Sequence, residues 1–469
     1  MKHYSVLHYY SLSLSLAILL SLTRAADASA ETLDFSQCVA IALHQNFTLV
    51  ASQEQINQAQ AGLDQVQASR IPKLTASLNA IGTDDALTAF GLKLSQRNAT
   101  FNDFGANQFN PSNPNGLSVA PNSLNYPGYV TNFNTRLELQ LPVYTGGMIT
   151  ASIKQAQAYI KAAQNGDSAA RQQVIFEVLK AYQGVHATRA YLAVTKQAEI
   201  TARSQVDMMT KLVNHGVIVK SDLLSAQVHL LDIQVQHAQA ENAVANALDQ
   251  LHLLLGMPLA TALDVGPPVT IKPALTKSSA LNQAAMADNP AVLALRNQLE
   301  ASQAGVDIAK AGYQPQIGLM LRQEWNDQQL GFGASSYTIG GTISWTVFDG
   351  GVIKAGVARA SALQDENMAK LAETEANISY QAADAERKAS EADQRLGLRQ
   401  LAQTQAEEAA DLVNKRYVNG VATITEQLGA QTQLDQARAN VVAAQYDLAI
   451  QRANLKLALG QLELDQLSN

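Results

Sequence analysis

The residues best placed to do chemistry are two carboxylates at matching positions of an internal repeat. Asp222 and Glu426 lie 204 residues apart, and each follows a glycine, Gly216 or Gly420, by six residues. Carboxylates that ring a narrow passage favour cations. An acidic residue in the first turn of a helix is also favoured by the helix dipole, without any further role. The paired placement favours an acidic constriction over two independent helix starts.

No other group of residues forms a recognisable reactive site. The histidines are scattered, and no Walker-type glycine loop is present. The formal net charge of −7 gives no reason to propose nucleic-acid binding. The single cysteine, Cys38, cannot form an intrachain disulfide and is predicted to be a buried thiol. The sequence therefore predicts a protein that is not an enzyme and that uses neither a metal nor a cofactor.

An internal duplication sets the elements that must position the two carboxylates. An offset of 204 residues pairs Gly146-Gly147 with Gly350-Gly351. Further toward the N-terminus the offset becomes 243 and pairs Asn46 with Asn289, so the first copy carries an insertion of 39 residues, the difference between the offsets. A duplication of this length is strong evidence for a repeated architecture.

Long helices are predicted on both sides of each turn. From Met148 to about Leu212 the chain contains no proline, and one helix of roughly 65 residues is predicted, about 100 Å long. The chain then reverses, and the returning stretch from Leu223 to Leu254 carries two apolar seams with heptad spacing. The first seam contains Leu223, Ala226, Leu230, Ile233, Ala240, Val244, Ala247, Leu251 and Leu254, and the second contains Leu224, Val228, Leu231, Val235, Ala238 and Ala245. Two seams imply a neighbouring helix on each side, which is the geometry of a closed tube of helices.

Strands are predicted after Pro72 and Pro315, where the apolar period changes to two. Four strands of about ten residues form two hairpins, the last of them alternating through Val347, and each can cross the hydrocarbon layer of a bilayer. The insertion, between about Asp84 and Asn132, is rich in Asn, Pro, Gly and Phe and is predicted to be loop rather than helix or strand. Four strands cannot close a barrel, and an open sheet edge cannot face lipid. Several copies must therefore contribute strands, eight from two copies or twelve from three.

The remaining parts are a signal peptide and a shorter helix in each repeat. Residues 1–30 have a positive start, an apolar run and an A-x-A-like cleavage site. A helix is predicted from Ser36, as its N-cap, to Ser69, and again from Ser279 to Gly312. The predicted division is 1–30 signal peptide, 31–71 first-repeat N-terminal helix, 72–145 first β-hairpin with a long external loop, 146–256 first long coiled-coil hairpin, 257–278 irregular connector (equatorial region), 279–314 second-repeat N-terminal helix, 315–348 second β-hairpin, and 349–469 second long coiled-coil hairpin with the C-terminus.

The duplicated motifs are Leu141–Gly147 with its partner Trp345–Gly351, the turn residues Ser221-Asp222 and Arg416-Tyr417, and the Leu-Gly pairs at 255–256 and 459–460. In their order, and over essentially the whole mature chain, these motifs resemble the TolC-type outer-membrane efflux protein family. The resemblance implies an α+β membrane protein with a duplicated helix–β-hairpin–long helix–helix repeat. Three copies would form a twelve-stranded β-barrel continued by an antiparallel coiled-coil α-barrel.

The resemblance also implies the function and the site residues. It implies a homotrimer in outer-membrane lipid that extends into the periplasm as the channel-tunnel of a tripartite efflux or type I secretion system. Such a passive exit duct docks a periplasmic adaptor (membrane fusion) protein and an inner-membrane pump. The residues expected to meet the adaptor are Gly216, Val217, Ser221, Gly420, Val421 and Thr425, and the gate candidates are Asp222, Glu426, Tyr417, Arg416 and Lys220. An arginine that helps to close the tip in some members is replaced here by Ala422.

The principal alternative from another class is an elongated periplasmic adaptor or structural protein with a coiled-coil hairpin and no pore. Adaptors also contain helical hairpins, but they lack duplicated amphipathic β-hairpins of membrane-spanning length. A third interpretation, a secreted enzyme, has no residues to support it. Heat-resistant trimers in the outer-membrane fraction would favour the duct, and a soluble periplasmic monomer would favour the adaptor.

Overall fold

The computed structural model describes residues 31–272 and 286–462, which form two compact units. The helical unit comprises the described residues within Met1–Gln55, Ala163–Ala294 and Leu371–Asn469. The sheet unit comprises Ile56–Ala162 and Leu295–Lys370. The predicted signal peptide lies outside the described residues, as does the predicted helix start at Ser279.

The described elements follow one another in a duplicated order. The helices are α1 (Phe35–Gln45), α2 (Phe47–Ala68), α3 (Ala86–Ser95), α4 (Asn122–Asn125), α5 (Met148–Asn214), α6 (Lys220–Leu255), α7 (Pro290–Lys310), α8 (Val352–Val418) and α9 (Ile424–Ala458). The strands are β1 (Glu31–Leu33), β2 (Lys73–Thr83), β3 (Val130–Thr145), β4 (Leu263–Val265), β5 (Gln316–Asp327) and β6 (Ala334–Ser344). The helices α5 and α8 have 67 residues each, close to the length expected from the proline-free stretch.

The sheet unit is organised around one four-stranded antiparallel sheet with the strand order β2-β3-β5-β6. Because side chains alternate along a strand, the register places most apolar residues of the four strands on one face. The apolar face contains Leu74, Ala76, Leu78, Leu137, Leu139, Leu141, Ile317, Leu319, Leu321, Ile339 and Ile343. The polar face contains Thr75, Ser77, Asn79, Asn134, Arg136, Glu138, Gln140, Arg322, Glu324, Asn326, Ser336, Thr338 and Thr342.

The core of the helical unit lies where α1, α5 and α6 pack around a short parallel pair of strands, β1 and β4. Phe35 and Tyr182 meet edge to face there, with ring centroids 5.7 Å apart. Cys38 is fully buried in this core as a free thiol, and burial raises its pKa to about 12. The prediction of a buried thiol is confirmed.

The predicted first helix is interrupted, and the interruption is duplicated. Asn46 separates α1 from α2, and Asn289 precedes α7 at the matching position. The side-chain oxygen of each accepts a hydrogen bond from the amide two residues later, at Thr48 or Ala291, over 2.9 Å. The side-chain amide of Asn46 also donates to the carbonyl oxygen of Leu254 (2.9 Å). Each asparagine therefore begins a new helix, and the prediction of one continuous helix was wrong. The prediction of Ser36 as the N-cap was also wrong, because α1 is capped at Asp34.

Three further predictions of local structure were wrong. The insertion contains a helix, α3, because Asp85 caps it by accepting a hydrogen bond from the Thr88 amide (2.9 Å). The predicted irregular connector contains the strand β4, which pairs with β1. The last strand ends at Ser344, short of Val347, because its partner β5 begins opposite that residue.

The two apolar seams of α6 have different environments. Residues of the first seam, including Ala226, Ile233 and Leu251, are buried within the chain. Residues of the second seam, including Leu224 and Leu231, are exposed. None of the helices formed by residues 31–272 and 286–462 combines the length and apolarity needed to cross a bilayer.

Candidate functional site at the helix turns

Two turns of the helical unit reverse the chain with the same backbone geometry. At the end of α5, Gly216 has φ +70°, and the Val217 amide donates to the carbonyl oxygen of Leu212 (2.9 Å). At the end of α8, Gly420 has φ +74°, and the Val421 amide donates to the corresponding carbonyl oxygen (2.8 Å). This pattern is a Schellman motif, in which glycine is favoured because a side chain would strain a positive φ.

The turns present an accessible apolar surface. Val217 is 66% exposed and Val421 is 68% exposed, although both are large apolar residues. Ser221 and Thr425, in the first turns of the returning helices, are also exposed. Exposed apolar groups with a polar rim are typical of a protein interaction site. The residues predicted to meet an adaptor are therefore accessible in the single chain.

A small core beneath the turns joins the two repeats. Met209, Ala226 and Ile424 are buried together, so α5 and α6 of the first repeat contact α9 of the second. Tyr417, near the end of α8, packs against this cluster. The gate candidates of the two repeats are thus held in one region of the helical unit.

The Tyr417 hydroxyl lies in the electrostatic field of Asp222. Burial raises the pKa of the Tyr417 hydroxyl, and the negative charge of Asp222 raises it further. The hydroxyl oxygen of Tyr417 has no hydrogen-bond partner among the described residues. A buried hydroxyl without a partner costs free energy.

The two carboxylates of the repeat have different roles in the structure. Glu426 forms a capping box with Thr423, accepting from its amide (2.7 Å) while the Thr423 hydroxyl accepts from the Glu426 amide (3.2 Å). The hydrogen bond from the Thr423 amide lowers the pKa of Glu426, and Arg416 adds a smaller effect. In the first repeat the capping position is Val219, which has no side-chain oxygen, so Asp222 is not engaged in such a box.

The basic gate candidates form no bridge to these carboxylates. Lys220 and Arg416 are exposed, and neither makes an ion pair with any described residue. The neighbouring Lys415 pairs along its own helix with Asp411 (2.5 Å). The structure therefore places Tyr417 in the field of Asp222 and Glu426 in the field of Arg416. No ion pair joins Lys220 to either carboxylate among the described residues.

Comparison with known proteins identifies the family. The family model described as outer membrane efflux protein matches residues 39–257 and 281–461, which together span most of the chain and both copies of the repeat. The chain belongs to this family. The resemblance to TolC-type proteins and the location in the outer membrane are confirmed.

Individual relatives of this efflux protein cover different shares of it. Protein CyaE of Bordetella pertussis is 28% identical over 329 residues, which are 68% of this chain and 69% of that protein. Outer membrane protein TolC of Escherichia coli is 29% identical over 114 residues, 24% of this chain and 23% of TolC. The solved CmeC outer membrane channel of Campylobacter jejuni has a TM-score of 0.76 at 18% identity and covers 91% of this chain and 86% of CmeC. The outer membrane protein VceC of Vibrio cholerae has a TM-score of 0.74 at 19% identity, with coverage of 92% and 97%. The efflux protein therefore shares the fold of these structures.

One polar residue of the turn region was missed in the sequence. Gln427 is buried, and its side-chain amide donates to the side-chain oxygen of Asn414 (2.8 Å). The side-chain oxygen of Gln427 has no hydrogen-bond partner among the described residues. The repeat contained a signal for this burial, because Gln427 is the equivalent of Leu223, a residue of the first apolar seam. Within the described part of the chain, no cluster of His, Cys, Asp or Glu is arranged to hold a metal ion.

Proposed function

We propose that this efflux protein is a passive duct across the outer membrane, assembled from three copies of the chain. The observation that carries the proposal is the division of the four-stranded sheet into an apolar and a polar face. In an outer-membrane barrel the strands alternate between apolar residues that face lipid and polar residues that face a water-filled interior.

The apolar face is suited to lipid because it is exposed in the single chain. Leu74, Ile339 and Ile343 are exposed, although each is a large apolar residue in the middle or at the end of a strand. Contiguous apolar surface of this kind is unfavourable in water. Contact with the hydrocarbon layer would remove that cost.

The polar face is suited to a water-filled interior. Two ion pairs cross from β3 to β5: Arg136 Nε lies 2.6 Å from Glu324 Oε1, and Arg322 Nε lies 2.7 Å from Glu138 Oε2. Four charged side chains on one face could not be placed against lipid without a cost of several kcal/mol. This face therefore belongs toward the lumen.

The edges of the sheet support self-association. The strands β2 and β6 end the strand order, so one side of each is unpaired within the chain. Backbone groups without partners cost several kcal/mol each in hydrocarbon. Pairing β2 of one copy with β6 of the next removes both edges, and three copies give the twelve strands that the family resemblance implies. The exposed second seam of α6, with Leu224 and Leu231, supports helix contacts between the same copies.

The two turns are the proposed docking and gating end. Val217 and Val421 would contact a periplasmic adaptor that links the duct to an inner-membrane pump. Asp222 and Glu426 from three copies would form an acidic constriction. The Tyr417 hydroxyl, which lies in the field of Asp222, is the proposed donor that would bridge to it in the closed state.

The predicted division of the chain becomes part of this proposal. The hairpins 72–145 and 315–348 would cross the membrane, and the coiled-coil hairpins 146–256 and 349–469 would form the periplasmic tube. The helices 31–71 and 279–314 would complete the wall, and the connector 257–278 would lie around its middle.

The test of the duct is its assembly and conductance. The full chain would be expressed with its signal peptide, extracted from outer membranes, and examined for heat-resistant trimers and for channels in planar lipid bilayers. Trimers that conduct ions are expected. A soluble periplasmic monomer that forms no channels would contradict the proposal and favour the adaptor alternative.

The test of docking uses a photo-cross-linking amino acid at Val217. Mass spectrometry of the product should identify a periplasmic adaptor. The matched control carries the same amino acid at Leu363, which is also exposed but lies in the sheet unit. Equal capture of the adaptor at both positions would contradict docking at the turns.

A further inference from the structure

The helix α3, in the insertion of the first hairpin, lies on the polar face of the sheet. Along β3, Val130, Asn132 and Asn134 are buried, and these residues share a face with Arg136 and the exposed Gln140. The polar face is therefore covered at one end of the strand and open at the other. The cover is α3, which contacts β3 and whose Ala89 is fully buried.

A network of side-chain amides fixes α3 to this face. The buried Gln96, just after α3, donates from Nε2 to the Thr131 carbonyl oxygen (2.7 Å) and to Asn132 Oδ1 (3.0 Å). Asn132 and Asn134 each donate to Asn326 Oδ1 on β5 (3.0 Å). Buried amides that bond across strands specify one arrangement, because each unmade bond costs about 1–3 kcal/mol.

The insertion also reaches the far edge of the sheet. Arg97 has a positive φ of 55°, and its Nη2 donates to the carbonyl oxygen of Ser335 on β6 (2.6 Å). Within the insertion, Lys93 pairs with Asp103 (2.6 Å). The helix is thus tied both to the sheet and to the residues that follow it.

The opposite side of α3 is apolar and exposed. Ala89 and Gln96 are seven residues apart and face the sheet, so Leu87 and Leu94, also seven apart, lie on the other side of the helix. Leu87 is 84% exposed and Leu94 is 50% exposed. These leucines face the space that the polar face borders.

We propose that α3 is a constriction inside the duct, at the end of the barrel where the first-hairpin insertion lies, and that it sets the largest and most polar solute that can leave. The inference rests on the proposed function, which directs the polar face toward the lumen. Three copies of α3 would bring six leucines into the passage. Apolar constrictions hinder hydrated ions because water is easily expelled from them. The helix would therefore act as a selectivity element separate from the turns.

The test uses single cysteines, because the native Cys38 is fully buried. Leu87→Cys and Leu94→Cys trimers would be labelled with a bulky charged thiol reagent, and labelling would be verified by mass. Labelling should reduce single-channel conductance in up to three steps, one for each labelled copy. The control Leu117→Cys lies in an exposed position of the same insertion beyond α3 and should be labelled without loss of conductance.

A second variant tests the attachment of α3. Gln96→Ala removes the amide hydrogen bonds to β3, so α3 should leave the polar face more often, and conductance and the size of admitted polymers should both increase. Fully labelled Leu87→Cys trimers that conduct like unlabelled ones would overturn the constriction while leaving the duct intact. A wild-type protein without channel activity would instead contradict the proposed function, and the constriction would then be refuted as well.

Discussion

A charge placed on the apolar face of the sheet tests its contact with lipid. Ile339 is the sixth of the eleven residues of β6, is 74% exposed, and lies opposite Leu321 on the apolar face. If that face contacts lipid, this residue lies near the middle of the hydrocarbon layer. We predict that Ile339→Arg prevents insertion of the barrel.

The magnitude follows from the position of the residue. An arginine on the lipid face costs about 2–4 kcal/mol at the bilayer midplane and close to zero at the interfaces. Three copies carry the substitution, so the assembled barrel loses roughly 6–12 kcal/mol. Even 2 kcal/mol corresponds to a roughly 30-fold shift of an equilibrium.

The assay is the yield of heat-resistant trimer in the outer-membrane fraction, compared at equal expression. The matched control is Ser336→Arg, which places the same charge three residues away on the polar face, opposite Glu324. Trimer should be lost for Ile339→Arg and retained for the control. Normal yields for Ile339→Arg would refute the assignment of the faces, and so would equal loss in both variants.

Three further predictions concern the helical unit. Gly420→Val should cost about 1–2 kcal/mol through its positive φ alone, since a Cβ there would meet open space. Trimers should therefore persist, while the adaptor should co-purify with them in smaller amounts; unchanged co-purification would contradict docking at this turn. The cation preference of single channels should fall in Asp222→Asn and fall less in Glu426→Gln, because the Thr423 amide already holds the Glu426 carboxylate and offsets part of its charge. Equal effects would contradict the difference between the two carboxylates. Leu231→Asp should abolish heat-resistant trimers, because burial of an exposed leucine contributes about 1.5–3 kcal/mol, and unchanged trimers would remove the second seam from the interface.

The periodic features of the fold were predictable because they depend on local patterns. Alternating residues identified the four strands of the sheet, and the absence of proline identified α5 and α8. The register between strands also follows from the pattern, since a shift by one residue would turn Leu139 or Leu321 to the polar face. The domain division itself remains a prediction.

Features that depend on distant partners were not predictable from local patterns. The break at Asn46 requires the carbonyl oxygen of Leu254, more than 200 residues away, and an uninterrupted apolar line concealed it. The duplication offered the signal, because Asn46 and Asn289 are equivalent positions. The three-residue strands β1 and β4 are too short to show alternation, and each forms only because the other is present.

The helix α3 was not predicted, because the average composition of the insertion is that of a loop. Within it, residues 86–95 contain one glycine and no proline or asparagine, and Asp85 precedes them as a cap. A search for helix starts at this scale would have found α3. Its position on the polar face depends on Gln96 and Asn132, which no local pattern could pair.

At the turns, the glycines were predictable from the sequence. The positions of the two carboxylates were also predictable, but the difference between their roles was not predicted. The repeat made Asp222 and Glu426 equivalent by position, whereas the cap residues before them, Val219 and Thr423, make them different. Thr423 engages Glu426 in starting its own helix, and Val219 leaves Asp222 free of that role. This difference between the carboxylates could have been found by comparing the two copies residue by residue, instead of only noting that they match.

The differences between the two repeats lie at the positions where we propose that the duct is selective. In the sheet unit only the first hairpin carries α3, and in the helical unit only the second turn carries a capping threonine. A trimer of a duplicated chain has near-sixfold repetition at positions where the two repeats are alike. It has only threefold repetition at positions where the two repeats differ. In the proposed trimer, three Asp222 carboxylates could therefore change their pairing while the Glu426 carboxylates remain bound to their helices. Movement of the proposed gate should then depend mainly on Asp222 and Tyr417. The Asp222 carboxylate accepts a long hydrogen bond from the Ser221 hydroxyl (3.5 Å), and the Tyr417 hydroxyl has no partner among the described residues.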